Sequence, residues 1–555
     1  MSKDNTVIAK QRKMLIEAEA KGGGAALKTY FRLSGPGWLQ SAITLGGGSL
    51  ASALFLGIIG GYSFLWLQVV AILLGVIMLS AISYVSLSAK EKPFPAINKH
   101  ISPVLGWGWA IATLMANIVW CLPQFSLSTA AIQQNLIPSL AGTGGKIFIS
   151  LTLLVFAVTV IWFYDKEGKG KQIFDWILKI LVGLIVLSFV GVVVKLATSA
   201  EGLPFGEILK GYVPNLSSFT KPAESFLPFL SQVGGGFQSF WSGQIVSMQT
   251  DVMLAAASAA VGINMTFLLP YSMLARGWDK NFRKMAIFDL SVGMVVPFLL
   301  VTSCVVIASA SQFHAKPDVT IIEKTDKLHK GYKGYLTKRV KAEAAETGVT
   351  LSPVEIDQKI QALPLADKQL ASMLVKRNAF SLAKALSPLL GETYANFIFG
   401  LGVLGMGFST IIVLMLISGF VICEIFNLPQ DGPARRWGSM LPAVGVLGPF
   451  VWSKAAFYLA IPTSIFGLIL LPVAYFSFLF MMNSKKIMGD AIPTGSSKTI
   501  WNTLMGIACV AVSIAVFSGM KAKGGTISVV AFTLMALFIV AVIVSHLMIR
   551  NKSDV

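Results

Sequence analysis

The stretch Trp38-Leu-Gln-Ser-Ala-Ile-Thr-Leu-Gly46-Gly47-Gly48-Ser49-Leu-Ala-Ser-Ala-Leu-Phe-Leu-Gly-Ile-Ile59 is long and apolar enough to cross a membrane, yet three glycines sit at its centre. Each glycine costs roughly 1 kcal/mol relative to alanine in a helix interior. Unwound backbone at membrane depth survives only where protein buries it or where it lines a cavity. A broken apolar helix is therefore a pointer to a transport site.

The rest of the chain has the same character. Hydrophobic residues make up 55% of 555 and charged residues 13%, with a mean hydropathy of +0.72. Apolar runs of about 20 residues, the length that spans hydrocarbon, recur near 34–60, 62–88, 105–136, 146–164, 173–197, 251–275, 284–311, 394–426, 437–453, 455–482, 499–519 and 526–549. The expected architecture is an all-α membrane protein of about 12 transmembrane helices. Residues 1–33 form a cytoplasmic amino-terminal segment, and 34–311 hold spans one to seven with a long external connection at 198–250. Residues 312–378 form an external helical insertion, 379–549 hold spans eight to twelve, and 550–555 are a cytoplasmic tail.

The net charge of +19 sets topology and does not indicate a nucleic-acid partner. Lys90, Lys92, Lys99, Lys166, Lys169, Lys171, Arg276, Lys280, Arg283, Lys284, Arg435, Arg436, Lys485, Lys486 and Lys498 fall on one set of short connections. The other set carries only Lys146, Lys454, Lys521 and Lys523. This asymmetry places both termini in the cytoplasm of a multi-pass protein of the cell membrane. Cys121, Cys304, Cys423 and Cys509 lie inside apolar runs without metal-ligand spacing, so buried free thiols are expected.

A second interrupted span pairs with the first. In 255–272, Gly262, Asn264, Thr266 and Pro270 break an apolar run, and the two broken helices stand five spans apart. That spacing suggests two five-helix repeats of opposite topology, with substrate held between the half-helices.

Gly35-Pro36-Gly37, Gly61-Tyr62 with Leu65-Trp66, Gly402 to Thr410, and Gly419-Phe-Val-Ile-Cys-Glu424 resemble the Nramp (natural-resistance-associated macrophage protein) family of divalent-metal transporters. The resemblance implies the LeuT-type fold, a 5+5 inverted repeat with helices 1 and 6 broken. The family's metal site does not carry over. Its Asp-Pro-Gly-Asn falls on Gly46-Gly47-Gly48-Ser49. Counted from Gly262 and Tyr271, its thioether falls on Thr266 and its histidine on Leu268. Its acids for proton movement fall on Asn117 and Gln124.

Divalent cations favour carboxylate, imidazole or thiolate ligands, and the histidines His100, His314, His329 and His546 lie outside both broken spans. Glycine lets a ligand approach backbone N–H groups at the positive end of a half-helix. The residues thus suggest a small anion, bicarbonate first, bound by Gly46, Gly47, Gly48, Ser49, Asn264, Thr266 and Gln124. By resemblance to LeuT-type carriers, Ile43, Gly46, Ser409 and Thr410 would hold a coupling sodium ion. No other cofactor is implied. A magnesium or manganese carrier using neutral oxygens, and a non-transporting receptor or scaffold, stand as alternatives. No convergent acid, base and nucleophile set points to an enzyme. Asp289 and Glu424 read as structural or solvated groups near span ends, and Trp107, Trp109 and Trp120 as an interface belt and packing.

Overall fold

The computed structural model describes residues 3–164, 169–200, 202–234, 236–323, 329–392, 394–451 and 456–553. The expectations for Lys166 and Lys454 lie outside these. Every regular element among the described residues is helical. The chain begins with α1 (Lys3–Ala20) and α2 (Gly23–Leu33), followed by the two halves of the first broken span, α3 (Pro36–Thr44) and α4 (Gly47–Gly60). Then come α5 (Leu65–Ser88), α6 (Pro93–His100), α7 (Pro103–Ala131), α8 (Thr143–Tyr164) and α9 (Lys169–Ala197). Short α10 (Phe205–Lys210) and α11 (Leu227–Leu230) precede the second broken span, α12 (Gln238–Ala260) and α13 (Ile263–Leu274). The seventh span is α14 (Arg283–Leu290) and α15 (Val296–Phe313), joined by a π-helical turn at Ser291–Val295.

The insertion folds as α16 (Val319–Ile322), α17 (Lys330–Glu346), α18 (Pro353–Ala362) and α19 (Leu365–Met373); its residues 324–328 lie outside the described set. After it run α20 (Ala379–Leu390), α21 (Phe399–Ile425), α22 (Pro433–Gly438), α23 (Gly448–Val451), α24 (Ala456–Met482), α25 (Lys485–Met488), α26 (Gly495–Lys523) and α27 (Gly525–Ser553).

Nine helical stretches among the described residues are long and apolar enough to cross a membrane, and ten if a bent pair at α24–α25 is included. One of them, Gly47–Ser88, joins the second half of the first expected span to the second span, and the two are divided at Gly61, whose φ of 59° breaks the helix. The ninth expected span differs. Residues 437–451 form the end of α22, a 3-10 segment at Leu441–Leu447 and the four-residue α23, and no single long helix. Proline at 442 and 449 and glycine at 445 and 448 explain the interruption. All four cysteines are buried and free.

The core is the packing of α4 and α12 against α5, α15 and α21. Gly57 lets α4 approach α15 closely: a Cβ there would stand 2.0 Å from Ser309 Oγ and 2.5 Å from Val306 O. Both termini lie on one face. Arg12 pairs with Asp279 (2.8 Å), Arg283 reaches Ser88 Oγ (3.2 Å), and His546 Nδ1 bonds Ile101 O (2.8 Å) just beyond α6. On the opposite face, His314 Nδ1 contacts Ile58 O (2.9 Å) near the insertion.

Gly57→Ala is expected to cost about 1–3 kcal/mol, as overpacking of a tight core does. Thermal unfolding in detergent checks this; an unchanged melting temperature would show that α4 and α15 are not packed this closely.

Candidate functional site

The two breaks lie side by side. Leu45 (φ −83°, ψ 46°) and extended Gly46 (φ −95°, ψ −177°) separate α3 from α4. Extended Val261 and Gly262 separate α12 from α13. Side chains join one break to the other: Thr44 Oγ1 reaches Ala260 O (3.4 Å) and Met265 Sδ (3.5 Å). Ser49 Oγ lies against Thr44 O and 3.2 Å from Ala259 O, and Gln40 Nε2 donates to Met265 O (3.3 Å).

Three amide donors at the two breaks, those of Gly47, Gly262 and Met265, are engaged by the protein itself. Gly47 N–H donates to Gln124 Oε1 (2.9 Å). Gly262 N–H donates to Met265 Sδ (3.4 Å), and Met265 N–H to Asn264 Oδ1 (2.9 Å). Thr266 Oγ1 accepts from Trp109 Nε1 (2.9 Å) and donates to Ile263 O (2.5 Å). Buried side-chain atoms near these elements without a hydrogen-bond partner include Gln40 Oε1, Ser41 Oγ, Asn117 Oδ1, Ser126 Oγ, Ser128 Oγ and Asn264 Nδ2. Asn117 Nδ2 donates to Ser418 Oγ (3.1 Å). Asn117 stands seven residues before Gln124, so both lie on one face of α7. Gly48 alone of Gly46–Ser49 keeps part of its surface accessible.

Ser409 and Thr410 on α21 meet the end of α3. Their hydroxyls donate to Ala42 O at 2.8 and 3.3 Å, and a Cβ on Gly46 would stand 2.5 Å from Thr410 Oγ1 and 3.1 Å from Ile43 O. The four residues expected around a sodium ion are therefore neighbours, but the carbonyl their hydroxyls select is that of Ala42, not Ile43.

Of the two roles expected for Asp289, structural or solvated, the structure shows the structural one. It is 1% exposed and accepts from Ser34 Oγ (2.6 Å), Gly37 N–H (2.7 Å) and Gly35 N–H (3.3 Å). A carboxylate at the amino end of α3 satisfies amides that have no partner inside the helix and complements the helix dipole. Beside it Arg276 makes a two-pronged pair with Asp175 at 2.7 and 2.8 Å. No local sequence signal gives this contact, which joins residues 252 positions apart. Trp109 and Trp120 likewise belong to the site: Trp109 is buried against Thr266, and the Trp120 ring lies where a Cβ on Gly262 would stand. Only Trp107 is exposed.

The sequence profile of the natural resistance-associated macrophage protein-like (Nramp) family matches residues 37–333 and 367–520. The chain belongs to the Nramp family. No curated protein sequence matches it. Among solved structures, it is similar to a histidine-to-alanine mutant of the Eremococcus coleocola manganese transporter, with a TM-score of 0.62, 14% identity, and coverage of 95% of this chain and 96% of that one. The same transporter in complex with an aromatic bis-isothiourea compound gives a TM-score of 0.61 at 15% identity, covering 95% and 97%. These likenesses establish the LeuT-type fold of a multi-pass Nramp transporter.

Counting from Gly262 and Tyr271 puts the family's thioether position at Thr266, and its neighbour Met265 was not singled out. The structure brings the Met265 sulfur to the break, against Gly262 N–H and Thr44. Gln40 and Thr44 were also missed, although both lie within six residues of the triple glycine. Among the described residues, no group of three or more His, Cys, Asp or Glu side chains could hold a metal ion.

Asp289→Asn keeps the shape of the side chain and removes its charge. Loss of a charge-assisted acceptor of this kind is expected to cost about 1–3 kcal/mol. Thermal unfolding beside the Asp175→Asn variant measures it, and no loss of stability would exclude Asp289 as the anchor of α3.

Proposed function

We propose that this Nramp protein is a secondary transporter whose cargo is a divalent metal ion, held between the two breaks by neutral oxygens and one thioether. The observation that carries this reading is the position of Met265 Sδ. It faces the gap between the half-helices, with Thr44 Oγ1 and Ala260 O beside it and Gln40, whose Oε1 has no partner, bonded to the Met265 carbonyl. Lone pairs are what a cation needs, and neutral oxygens with one sulfur suit manganese better than the harder magnesium. The amides that an anion would need at Gly47, Gly262 and Met265 already have acceptors. The manganese transporter of Eremococcus coleocola shares the fold.

A site without carboxylates leaves the ion's charge uncompensated, at considerable cost in the membrane. An ion that keeps part of its hydration shell lowers that cost, and the membrane potential drives entry. Two charges crossing are worth about 4.6 kcal/mol per 100 mV. In this reading the termini are cytoplasmic, the insertion is external, and the protein works in the cell membrane.

A second reading, sodium-coupled transport of a small oxyanion such as bicarbonate, is favoured by one observation. Asn264 presents an unpartnered buried NH2 group beside the break, because its oxygen caps Met265 N–H. Ser409 and Thr410 would supply the sodium ligands.

Proteoliposome flux separates the two. Manganese uptake should occur without sodium and rise with an inside-negative potential, with no accompanying acidification. Sodium-dependent bicarbonate flux without metal uptake would replace the metal reading by the second. Met265→Leu is expected to lower manganese uptake roughly tenfold, the scale on which losing a group of a metal site acts, while sparing any magnesium flux. Unchanged manganese uptake would remove Met265 from the site.

A further inference from the structure

We propose that the insertion at 312–378 is a clamp on α12, holding the insertion-side half of the second broken helix closed against α4. This rests on the transporter reading but not on the identity of the cargo. The family profile leaves out residues 334–366, between its two matched parts. That gap supplies Arg339 and Glu343 on α17, and Asp367 on α19 is the first residue after it.

These residues grip the start of α12. Asp367 Oδ1 accepts from both Trp241 Nε1 (2.7 Å) and Arg339 Nε (3.0 Å), and Arg339 also pairs with Glu343 (2.8 Å). The side chains of Arg339 and Asp367 are 5% and 1% exposed, and the Arg339 guanidinium lies over the Phe237 ring. A turn or two further along α12, Tyr335 Oη reaches Met248 Sδ (3.0 Å). The insertion is braced within itself by Arg377 with Asp318 (2.7 Å) and by Asp318 N–H with Ser372 Oγ (3.1 Å), and Arg377 reaches the end of α15 over the Phe313 ring (5.5 Å). The connection before α12 holds it from another side. Gln249 accepts from Ala223 N–H (2.8 Å) and donates to Ser218 O (2.7 Å) and Lys221 O (2.9 Å).

The far end of α12 is Ala260, whose carbonyl meets Thr44 at the break. One rigid helix thus runs from the clamp to the site. Alternating access moves groups of helices around a fixed site, so a clamp that joins α12 to α15 biases which side is open. A buried ion pair is suited to this because it has one good geometry and is costly to break. The clamp borders a cavity of about 400 Å³, lined in part by Phe237, Arg339, Glu343, Lys359 and Asp367, which gives solvent a route to it.

The test is the reactivity of a thiol introduced by Ala256→Cys, on the buried face of α12, toward maleimide in the purified full chain. The four native cysteines are buried and give a slow background. Trp241→Phe removes one hydrogen bond and keeps the ring, and should speed labelling several-fold. The double change Arg339→Gln with Asp367→Asn leaves no charge unpaired and should speed it at least about tenfold, the scale of a population shift of this kind. Labelling at the parent rate in Trp241→Phe, with an unchanged melting temperature, would overturn the clamp even if the double variant failed to fold. Labelling needs no flux, so failure to transport any tested metal bears on the cargo and leaves the clamp standing or falling by these rates.

Discussion

Backbone polar groups at membrane depth must find partners within the protein, because hydrocarbon offers none and each orphan costs several kcal/mol. Two broken helices create a concentrated demand of this kind, and the arrangement around residues 40–49 and 259–266 answers it. Gln124 takes Gly47 N–H, the Met265 sulfur takes Gly262 N–H, and Asn264 takes Met265 N–H. Thr44, Ser49, Gln40, Ser409 and Thr410 address the carbonyls of Ala260, Ala259, Met265 and Ala42. Each of these contacts crosses from one helix segment to another, except those inside the turn Gly262–Met265. The same bonds that make the breaks tolerable fix the relative positions of spans one, three, six and eight.

The same constraint supports the cation proposed as cargo. Half-helix amino ends attract anions when their amides are free, and glycine at 46–48 invites that reading from composition alone. Side-chain oxygens and a sulfur occupy the amides of Gly47, Met265 and Gly262, so those three donors are already engaged within the protein. What stays unsatisfied near the break is the amide oxygens of Gln40 and Asn117, the NH2 group of Asn264 and the hydroxyls of Ser41, Ser126 and Ser128. A bare carboxylate here would have supplied both charge and a ligand. Its absence leaves a weaker, neutral site, better matched to an ion that keeps part of its water.

The break in span one was legible in residues 46–48 because three glycines in an apolar run have few other uses, and the family motifs at 35–37, 61–66 and 402–424 were enough to give the fold. Span nine was misread because an apolar run of helical length says nothing of its prolines' geometry: Pro442 and Pro449 divide it into short pieces. Met265 was not legible because its role comes from the unwound backbone at Gly262, which lets a sulfur three residues on fold back onto the break. Asp289 and Trp109 were invisible for another reason. Their roles depend on partners at Gly37 and Thr266, more than a hundred residues away, and no periodicity within a helix encodes such a pairing.

The two ends of the broken spans are secured in different ways, and the difference has a physical logic. On the face that carries the termini, Asp289 binds the backbone of residues 35–37, and Arg276 with Asp175 stands beside it. A carboxylate on backbone amides is short-range and depends on glycine's close approach, since a Cβ on Gly37 would stand 2.1 Å from Asp289 O. It anchors α3 without restraining α13. On the other face the holding groups are side chains, Trp241 and Gln249, bonded to segments outside the membrane core. Those restrain α12 without touching α4 directly. The other broken helix on each face has its own polar contact: α13 at Tyr271 Oη, which accepts from Phe94 N–H (3.2 Å), and α4 at Ile58 O, which His314 meets (2.9 Å). Apolar surfaces can slide at little cost, whereas buried ionic and amide contacts change by whole steps. Stepwise contacts thus stand both at the ends of the broken spans and at the breaks between them, with apolar packing along the helices that join the two.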